Sequence, residues 1–298
     1  MLCLGVGGGG DVVGAMATSE LVRSRGGETV LGGTTWERSA VDPEPGPRSM
    51  DEVVEAERLG PAVALAGAAT RTDSGVHFAE ARLAEALGEP VVLIDVNGGP
   101  AAVAGGIATA ADHMKCDLIV LVDVGGDILA HGDEQGLGSP LCDAVSLAAA
   151  PALAERGPVV LAVFGTGCDG ELTPAEVLAR LAEVAAGGGL LGAWGLTPEA
   201  ADRLELAVAA VPTEASAQAL ACFRGAIGRV PIREGRRVVE RSPLGALTFY
   251  LDPLVALQTA ARPAHAVVGA TSLEEANGRL HELGITTELD FERRTNGD

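Results

Sequence analysis

The feature that most restricts the fold of this chain is the repeated pairing of a short apolar segment with a glycine- and aspartate-rich turn. Most of these pairs are followed by a longer segment with helical spacing. Uninterrupted apolar strands are typical of a parallel sheet covered on both faces, and their alternation with helices is typical of βαβ units. The sequence therefore predicts an α/β fold of Rossmann-like design, with an open, mostly parallel sheet flanked by helices.

The predicted elements alternate over the first half of the chain. Strands are expected at residues 2–6, 29–32, 62–66, 90–96, 117–122, 158–164, 236–240, 247–251 and 264–268. Helices are expected at residues 11–25, 76–87, 100–114, 140–155, 173–186, 197–209, 213–227 and 273–283. Because no linker divides the chain, we expect one α/β domain over residues 1–298, with a helical addition in the C-terminal half at about 173–230.

Four turns share one composition, in which an apolar segment runs out into glycine and acidic residues. They are Gly7-Gly8-Gly9-Gly10-Asp11, Asp95-Val96-Asn97-Gly98-Gly99, Asp123-Val124-Gly125-Gly126-Asp127 and Gly165-Thr166-Gly167-Cys168-Asp169-Gly170-Glu171. In an open α/β sheet, ligands bind beyond the carboxyl ends of the strands. The four turns are therefore predicted to meet around one ligand.

The first turn, Gly7–Gly10, is suited to an anion. Glycines let the backbone approach a ligand, and the helix that starts at Asp11 adds the positive end of its dipole. A bound phosphate is one interpretation, and a tight strand-to-helix turn capped by Asp11 is the other. No Gly-Lys-Ser/Thr motif is present, and no clear acidic residue stands where a dinucleotide fingerprint places one. NAD(P) is therefore a less favoured cofactor.

The acidic residues of the later turns are the candidate catalytic groups. They are Asp123, Asp127, Asp169 and Glu171. Clustered carboxylates can bind Mg²⁺, hold sugar hydroxyls or act as a general base, whereas the alternative is that they only cap helices and shape turns. The remaining residues expected to line the ligand are Asn97, Gly98, Gly125, Gly126, Gly165 and Gly167.

Composition excludes two classes of partner. The net charge is −20, whereas nucleic acids and anionic membranes are bound through a basic face. The five cysteines are scattered without CxxC spacing, which is typical of reduced thiols in the cytoplasm. Neither a signal peptide nor a run of about 18 apolar residues is evident. We expect a cytoplasmic homo-oligomer that binds a phosphorylated or nucleoside-like small molecule.

The glycine- and aspartate-rich turns also carry a resemblance to a known family. Together with Thr248-Phe249-Tyr250-Leu251-Asp252, they make the chain similar, over most of its length, to the DUF1152 family of archaeal and actinobacterial proteins. The family has no established reaction, so the resemblance implies a single domain and leaves the chemistry open. Some relatives look like parts of specialised-metabolite pathways, which implies a tailoring enzyme.

Three functions are compatible with these features. The favoured one is an enzyme that binds a nucleotide, nucleoside or sugar phosphate at the C-terminal edge of the sheet. Its clustered carboxylates would support hydrolysis or group transfer, for example cleavage of an N-glycosidic bond. Phosphoryl transfer is less favoured because no lysine or obvious arginine clamp stands beside Gly7–Gly10. The alternatives are a non-catalytic nucleotide- or metabolite-binding protein and an NAD(P)-dependent oxidoreductase.

Overall fold

The apolar segments form one nine-stranded sheet in the computed structural model of the protein, which describes residues 1–295. The strands, in chain order, are β1 (Leu2–Gly5), β2 (Val30–Thr34), β3 (Val53–Gly60), β4 (Val63–Thr72), β5 (Val91–Ile94), β6 (Ile119–Val124), β7 (Val159–Phe164), β8 (Leu190–Gly195), β9 (Gly228–Ile232), β10 (Arg237–Arg241) and β11 (Leu247–Leu251). All of them belong to the main sheet except β9 and β10, which pair with each other as a separate antiparallel hairpin.

The order of strands across the sheet is β3-β4-β5-β2-β1-β6-β7-β11-β8. The five central strands, β5 to β7, are parallel, and the outer strands on both sides are antiparallel. From β1 the chain moves to β2 and β5 on one side, and it then crosses to β6 and β7 on the other. The reversal lies between β1 and β6, which is the point where open α/β sheets bind ligands.

Helices cover both faces of the sheet, as predicted. They are α1 (Asp11–Arg23), α2 (Ala79–Leu87), α3 (Gly99–His113), α4 (Pro140–Leu147), α5 (Ala150–Ala154), α6 (Pro174–Ala186), α7 (Pro198–Ala210), α8 (Glu214–Phe223), α9 (Pro253–Thr259), α10 (Arg262–Val267), α11 (Leu273–Glu282) and α12 (Glu288–Thr295). Helices α1, α2, α7 and α8 share one apolar core with the sheet, and the others share a second core on the opposite face. No helix within residues 1–295 is long and apolar enough to cross a membrane.

Several elements differ from the sequence-based expectation. The strand predicted at 264–268 is wrong, because this segment is part of α10. Pro263 stands in the first turn of that helix, where its missing amide is tolerated, and the buried Ala264 and Val267 are spaced for one helical face. Residues 173–230 hold the expected helices α6 to α8, but they also contribute β8 to the main sheet.

The residues of the unpredicted strands β3, β8 and β9 are nearly all exposed or half-buried. Strands β3 and β8 form the two edges of the main sheet, and β9 lies in the separate hairpin. An edge strand has one unpaired side, and its sequence need not be continuously apolar. The search for uninterrupted apolar segments therefore found the central strands and missed these.

Candidate functional site

Three carboxylates from three different elements meet at the reversal point between β1 and β6. Asp11 is the first residue of α1, Asp123 lies near the end of β6, and Asp143 lies in the first turn of α4. One carboxylate oxygen from each lies within 4.8 Å of the others. We call Asp11, Asp123 and Asp143 the first triplet. Sequence reasoning singled out Asp11 and Asp123 but did not include Asp143.

A second triplet is formed by Asp127, Asp169 and Glu171, whose oxygens are also within 4.8 Å of one another. All three residues were predicted as catalytic groups, and the structure does bring them together. The loops after β6 and β7 approach closely here, since the Gly167 amide donates to the Gly125 carbonyl oxygen at 2.7 Å. A Cβ atom at Gly125, where φ is +132°, would lie 2.3 Å from Cγ of Asp169, so the approach requires glycine.

Buried carboxylate oxygens in both triplets have no hydrogen-bond partner among residues 1–295. They are Asp123 Oδ2, Asp143 Oδ1 and Asp169 Oδ1. The side chains themselves are no more than 4% exposed. An unpaired buried charge is costly, so such groups normally pair, protonate or coordinate a metal. The triplets are therefore arranged for something other than the stability of the loops.

The pKa values of these groups reflect burial and mutual repulsion. Burial, followed by the charges of neighbouring carboxylates, raises the pKa of Asp123 and of Asp143 well above the usual range. Burial together with the charge of Glu171 raises the pKa of Asp169 to about 7. Burial also raises the pKa of Asp11 to about 7. Asp11 and Asp169, whose pKa values are about 7, exchange protons near neutral pH, or they ionise fully when a cation is bound.

Glu171 differs from the other five carboxylates because its oxygens are saturated. The amides of Gly138 and Ser139 donate to Oε2 at 2.7 and 2.9 Å, and the Ser139 hydroxyl and Arg237 donate to Oε1. Burial alone would raise the pKa of Glu171, but Arg237 and these donors outweigh it and hold the pKa below its usual value. Glu171 therefore anchors the start of α4, and it has little capacity left for a ligand.

The glycine turn lies beside the first triplet. Gly8 and Gly9 have φ values of +79° and +53°, which favour glycine. The Gly7 amide donates to Asp11 Oδ2 at 3.0 Å, so Asp11 faces back along the turn. The amides of Gly8 and Gly10 have no hydrogen-bond partner within the described residues 1–295. They remain available to an anion at the N-terminus of α1.

Three arginines that the sequence did not indicate surround the same region. Arg38 follows β2, donates to the Gly7 carbonyl oxygen and lies 3.7 Å from Glu288. Arg237 forms the ion pair with Glu171. Arg233 lies in the turn between β9 and β10, and its charge acts on Asp11, Asp169 and Glu171. Because the three residues are far apart in sequence from the glycine turn, no local motif could reveal them.

Asn97 and Gly98, which were predicted to line the ligand, lie after β5, two strands from β1. The Asn97 side chain donates to the Pro47 carbonyl oxygen at 3.2 Å and to Asp95 at 2.9 Å. The Asn97 carbonyl oxygen accepts from the Leu273 amide at 2.9 Å. The structure therefore brings three of the four predicted turns together and places the fourth in a separate network. Gly165 and Gly126 belong to the converging turns, both with left-handed φ values.

Helix α12 fastens the loops around the first triplet. Glu288 accepts hydrogen bonds from the amides of Leu141 and Cys142 at 3.0 and 2.9 Å, at the N-terminus of α4. Glu292 accepts from the Trp36 indole at 3.1 Å and from the Gly46 amide at 2.8 Å. The position of Asp143 and of the loop that carries Arg38 thus depends on one C-terminal helix.

The triplets are enclosed rather than open. A surface cavity of about 610 Å³ lies elsewhere, beside α2, where its lining includes His77 and Arg82 and none of the six carboxylates. Asp11 is the only partly exposed member of the first triplet. An enclosed set of this kind fits a small ion better than a nucleoside, so a larger ligand would lie outside it, toward Gly10 and the arginines.

Asp143 had one usable signal in the sequence. It stands in the segment Leu141-Cys142-Asp143-Ala144-Val145, where the neighbours are apolar and fully buried. A carboxylate on such a helix must be buried with them, and a buried carboxylate is rare unless it is paired or functional.

Comparisons with known proteins identify a family without identifying an activity. The model of a family described as "Protein of unknown function (DUF1152)" matches residues 2–296. No curated protein and no solved structure matches the chain.

Proposed function

The chain belongs to the DUF1152 family, and we propose that it is a divalent-cation-dependent enzyme that hydrolyses, or transfers a group from, a phosphorylated small molecule such as a nucleotide or sugar phosphate. The observation that carries this proposal is a set of buried oxygens of Asp123 and Asp143 that have no hydrogen-bond partner within residues 1–295. They lie with Asp11 beside a glycine turn, of which two amides are also unpaired within those residues.

The first triplet fits a hard divalent cation. Its donors are three carboxylates, which are the ligands that Mg²⁺ and Mn²⁺ favour, and two of them have oxygens with no other partner among residues 1–295. Asp11, Asp123 and Asp143 would hold the ion, which when bound supplies positive charge to a substrate oxygen. A cation would also offset the burial and the repulsion that raise the pKa values of Asp123 and Asp143.

The same arrangement favours a substrate with phosphate. The N-terminus of α1 attracts anions, but Asp11 places a carboxylate at that point. A bare phosphate would be repelled by Asp11, whereas a phosphate that shares a cation with the first triplet would not. The free amides of Gly8 and Gly10 then bind phosphate oxygens. Binding at this point therefore needs a cation and an anionic group together, which supports a phosphorylated ligand over a neutral nucleoside.

Asp169 is the group we assign to proton transfer. Its Oδ1 atom is buried and has no hydrogen-bond partner among the described residues, and its pKa is raised to about 7. A carboxylate with this pKa can accept a proton from an attacking water or hydroxyl group at Oδ1 and release it afterwards. Asp127 lies beside it in the second triplet, and burial raises its pKa as well. Glu171, held by its four donors, positions the loop.

The test is a screen of nucleotides and sugar phosphates for product formation, with and without Mg²⁺ or Mn²⁺. For a substrate that is turned over, Asp123→Asn, Asp143→Asn and Asp169→Asn should each lower turnover by a factor on the order of 10² or more. The matched control is Asp117→Asn, an exposed aspartate just before the same strand as Asp123 but at the opposite edge of the sheet. Binding without turnover across the screen would favour a non-catalytic protein and contradict the proposal.

We propose further that the enzyme acts in the cytoplasm, within specialised metabolism, and as a homo-oligomer. All five cysteines are free thiols, as a reducing compartment would keep them. Size measurement of the purified protein in solution tests the oligomeric state directly.

A further inference from the structure

Arg233 has an unfavourable backbone conformation, and its guanidinium makes no contact within residues 1–295 that would offset the cost. Its φ is +50°, and that of the next residue, Glu234, is +57°. Left-handed backbone is unfavourable for a side chain of this size, and such residues are frequent at ligand sites. Within residues 1–295 the Arg233 guanidinium forms no hydrogen bond and no ion pair, although the side chain is partly buried.

The position of Arg233 is fixed from the backbone. Its amide donates to both carboxylate oxygens of Glu214, at 3.0 and 2.9 Å. Glu214 follows Thr213, which packs on the glycine turn so closely that a Cβ atom at Gly10 would lie 2.3 Å from Thr213 Cβ. The turn between β9 and β10 is thus fastened next to the free amides of Gly8 and Gly10.

Two further guanidinium groups, those of Arg38 and Arg237, act on Arg233 through their charge. Burial and the charges of Arg237 and Arg38 lower the pKa of Arg233. Arg237 is hydrogen-bonded to Glu171, whereas the Arg38 nitrogen Nη1 lies 3.7 Å from Glu288 and has no hydrogen-bond partner in the described part of the chain. Unused donors therefore remain on both Arg38 and Arg233, on the side of the glycine turn.

We propose that Arg233 and Arg38, together with the amides of Gly8 and Gly10, form an oxyanion subsite that binds a terminal phosphate or a diphosphate of the ligand. Guanidinium groups bind phosphate oxygens through paired N–H donors, which a lysine cannot match. The subsite rests on the proposed function for its substrate, but it binds an oxyanion whether or not a reaction follows. The hairpin of β9 and β10 is then the element that selects phosphorylated ligands.

The experiment is calorimetric titration of the full chain with inorganic pyrophosphate and with inorganic phosphate, in the presence and absence of Mg²⁺. The main variant is Arg233→Gly, because glycine suits the left-handed backbone and should keep or raise the melting temperature. We expect its affinity for pyrophosphate to fall by a factor of about 10 to 100. Arg233→Lys should recover part of this loss, since it keeps the charge but not the paired donors.

The matched control is Arg229→Ala, which removes an exposed arginine from the same hairpin. Its affinity should match that of the wild type. Equal affinity of wild type and Arg233→Gly would overturn the subsite, and so would an equal loss in Arg229→Ala, since net charge alone would then explain binding. Arg233-dependent binding with no turnover in the substrate screen would support the subsite and reject the proposed reaction. Turnover that is unchanged in Arg233→Gly would support the proposed reaction and reject the subsite.

Discussion

Two turns at the same edge of the sheet share the sequence Asp-Val-x-Gly, yet their aspartates have opposite environments. After β5, the Asp95 carboxylate accepts from the Met50 amide at 2.7 Å, the Asn97 amide at 2.8 Å and the Asn97 side chain at 2.9 Å. After β6, Asp123 Oδ2 has no hydrogen-bond partner in the described residues. The Asp95 carboxylate is satisfied by hydrogen-bond donors from its own turn and from Met50, whereas Asp123 keeps one oxygen available.

The difference arises from the neighbouring strands. β5 lies between β4 and β2, and the segment before β3 supplies a backbone donor to Asp95. β6 lies between β1 and β7, whose loops supply further carboxylates instead. The same local motif therefore has a structural role where hydrogen-bond donors surround its aspartate. It is suited to binding a ligand where other carboxylates surround the aspartate. The neighbours decide the role, and the motif does not.

The largest expected effect is on stability. Asp95→Ala leaves the buried amide of Met50 and the partly buried amide of Asn97 without an acceptor, and it should lower the free energy of unfolding by about 3 kcal/mol. Asp123→Asn removes a buried like charge, so in cation-free buffer the free energy should change by less than about 1 kcal/mol or increase. Urea unfolding measures both. A loss in Asp123→Asn as large as that in Asp95→Ala would break the comparison.

A buried carboxyl outside both triplets allows the effect of pH on the free energy of unfolding to be tested away from the candidate site. Glu37 is 5% exposed, and its pKa is raised to about 7, chiefly by burial. The folded state binds this proton more tightly than the unfolded state, so its stabilising effect is present at low pH and is lost as pH rises toward and through 7. The loss corresponds to about 3 kcal/mol.

Glu37→Gln keeps an acceptor for the Ala79 amide and removes the titration. The free energy of unfolding of the wild type should fall more steeply between pH 5 and pH 8 than that of the variant. Parallel curves for the two proteins would show that Glu37 ionises normally.

Cation binding should distinguish the turn after β6 from the turn after β5, through an effect of moderate size on stability. At a concentration one hundred times its Kd, Mg²⁺ or Mn²⁺ stabilises the folded state by about 2.7 kcal/mol, which raises the melting temperature by several degrees. The shift should vanish in Asp123→Asn and Asp143→Asn and persist in Asp95→Asn and Asp117→Asn. A shift that Asp95→Asn also abolishes would assign the cation to the wrong turn.

The smallest effect concerns Asn97. Asn97→Ala loses the side-chain bonds to Pro47 and Asp95 and should cost about 1 kcal/mol in the free energy of unfolding. Pyrophosphate affinity should stay unchanged, because the turn after β5 is separate from the arginines. Weaker pyrophosphate binding in this variant would show that Asn97 belongs to the ligand site, as the sequence predicted.

The central sheet and much of the candidate site were predictable from the sequence for one physical reason. Buried parallel strands must be continuously apolar, and their carboxyl ends must meet at one edge, which located the turns of Asp11, Asp123 and Asp169. Edge strands obey no such rule, so β3 and β8 were missed. Arg38 and Arg233 could not be placed, because strand order and the packing of the β9–β10 hairpin, not local pattern, bring them to the site. The apolar neighbours of Asp143 indicate that it is buried, but they do not indicate which other carboxylates it meets.

The contacts of helix α12 have a consequence for how the chain matures during synthesis. Glu288 and Glu292 hold the start of α4 and the loops at Trp36 and Gly46, which were translated long before them. The sheet strands can pair as they leave the ribosome, but the ends of these loops lack their acceptors until residues 288–292 have emerged. The contacts that fix the start of α4, which carries Asp143, therefore form only after residues 288–292 have emerged.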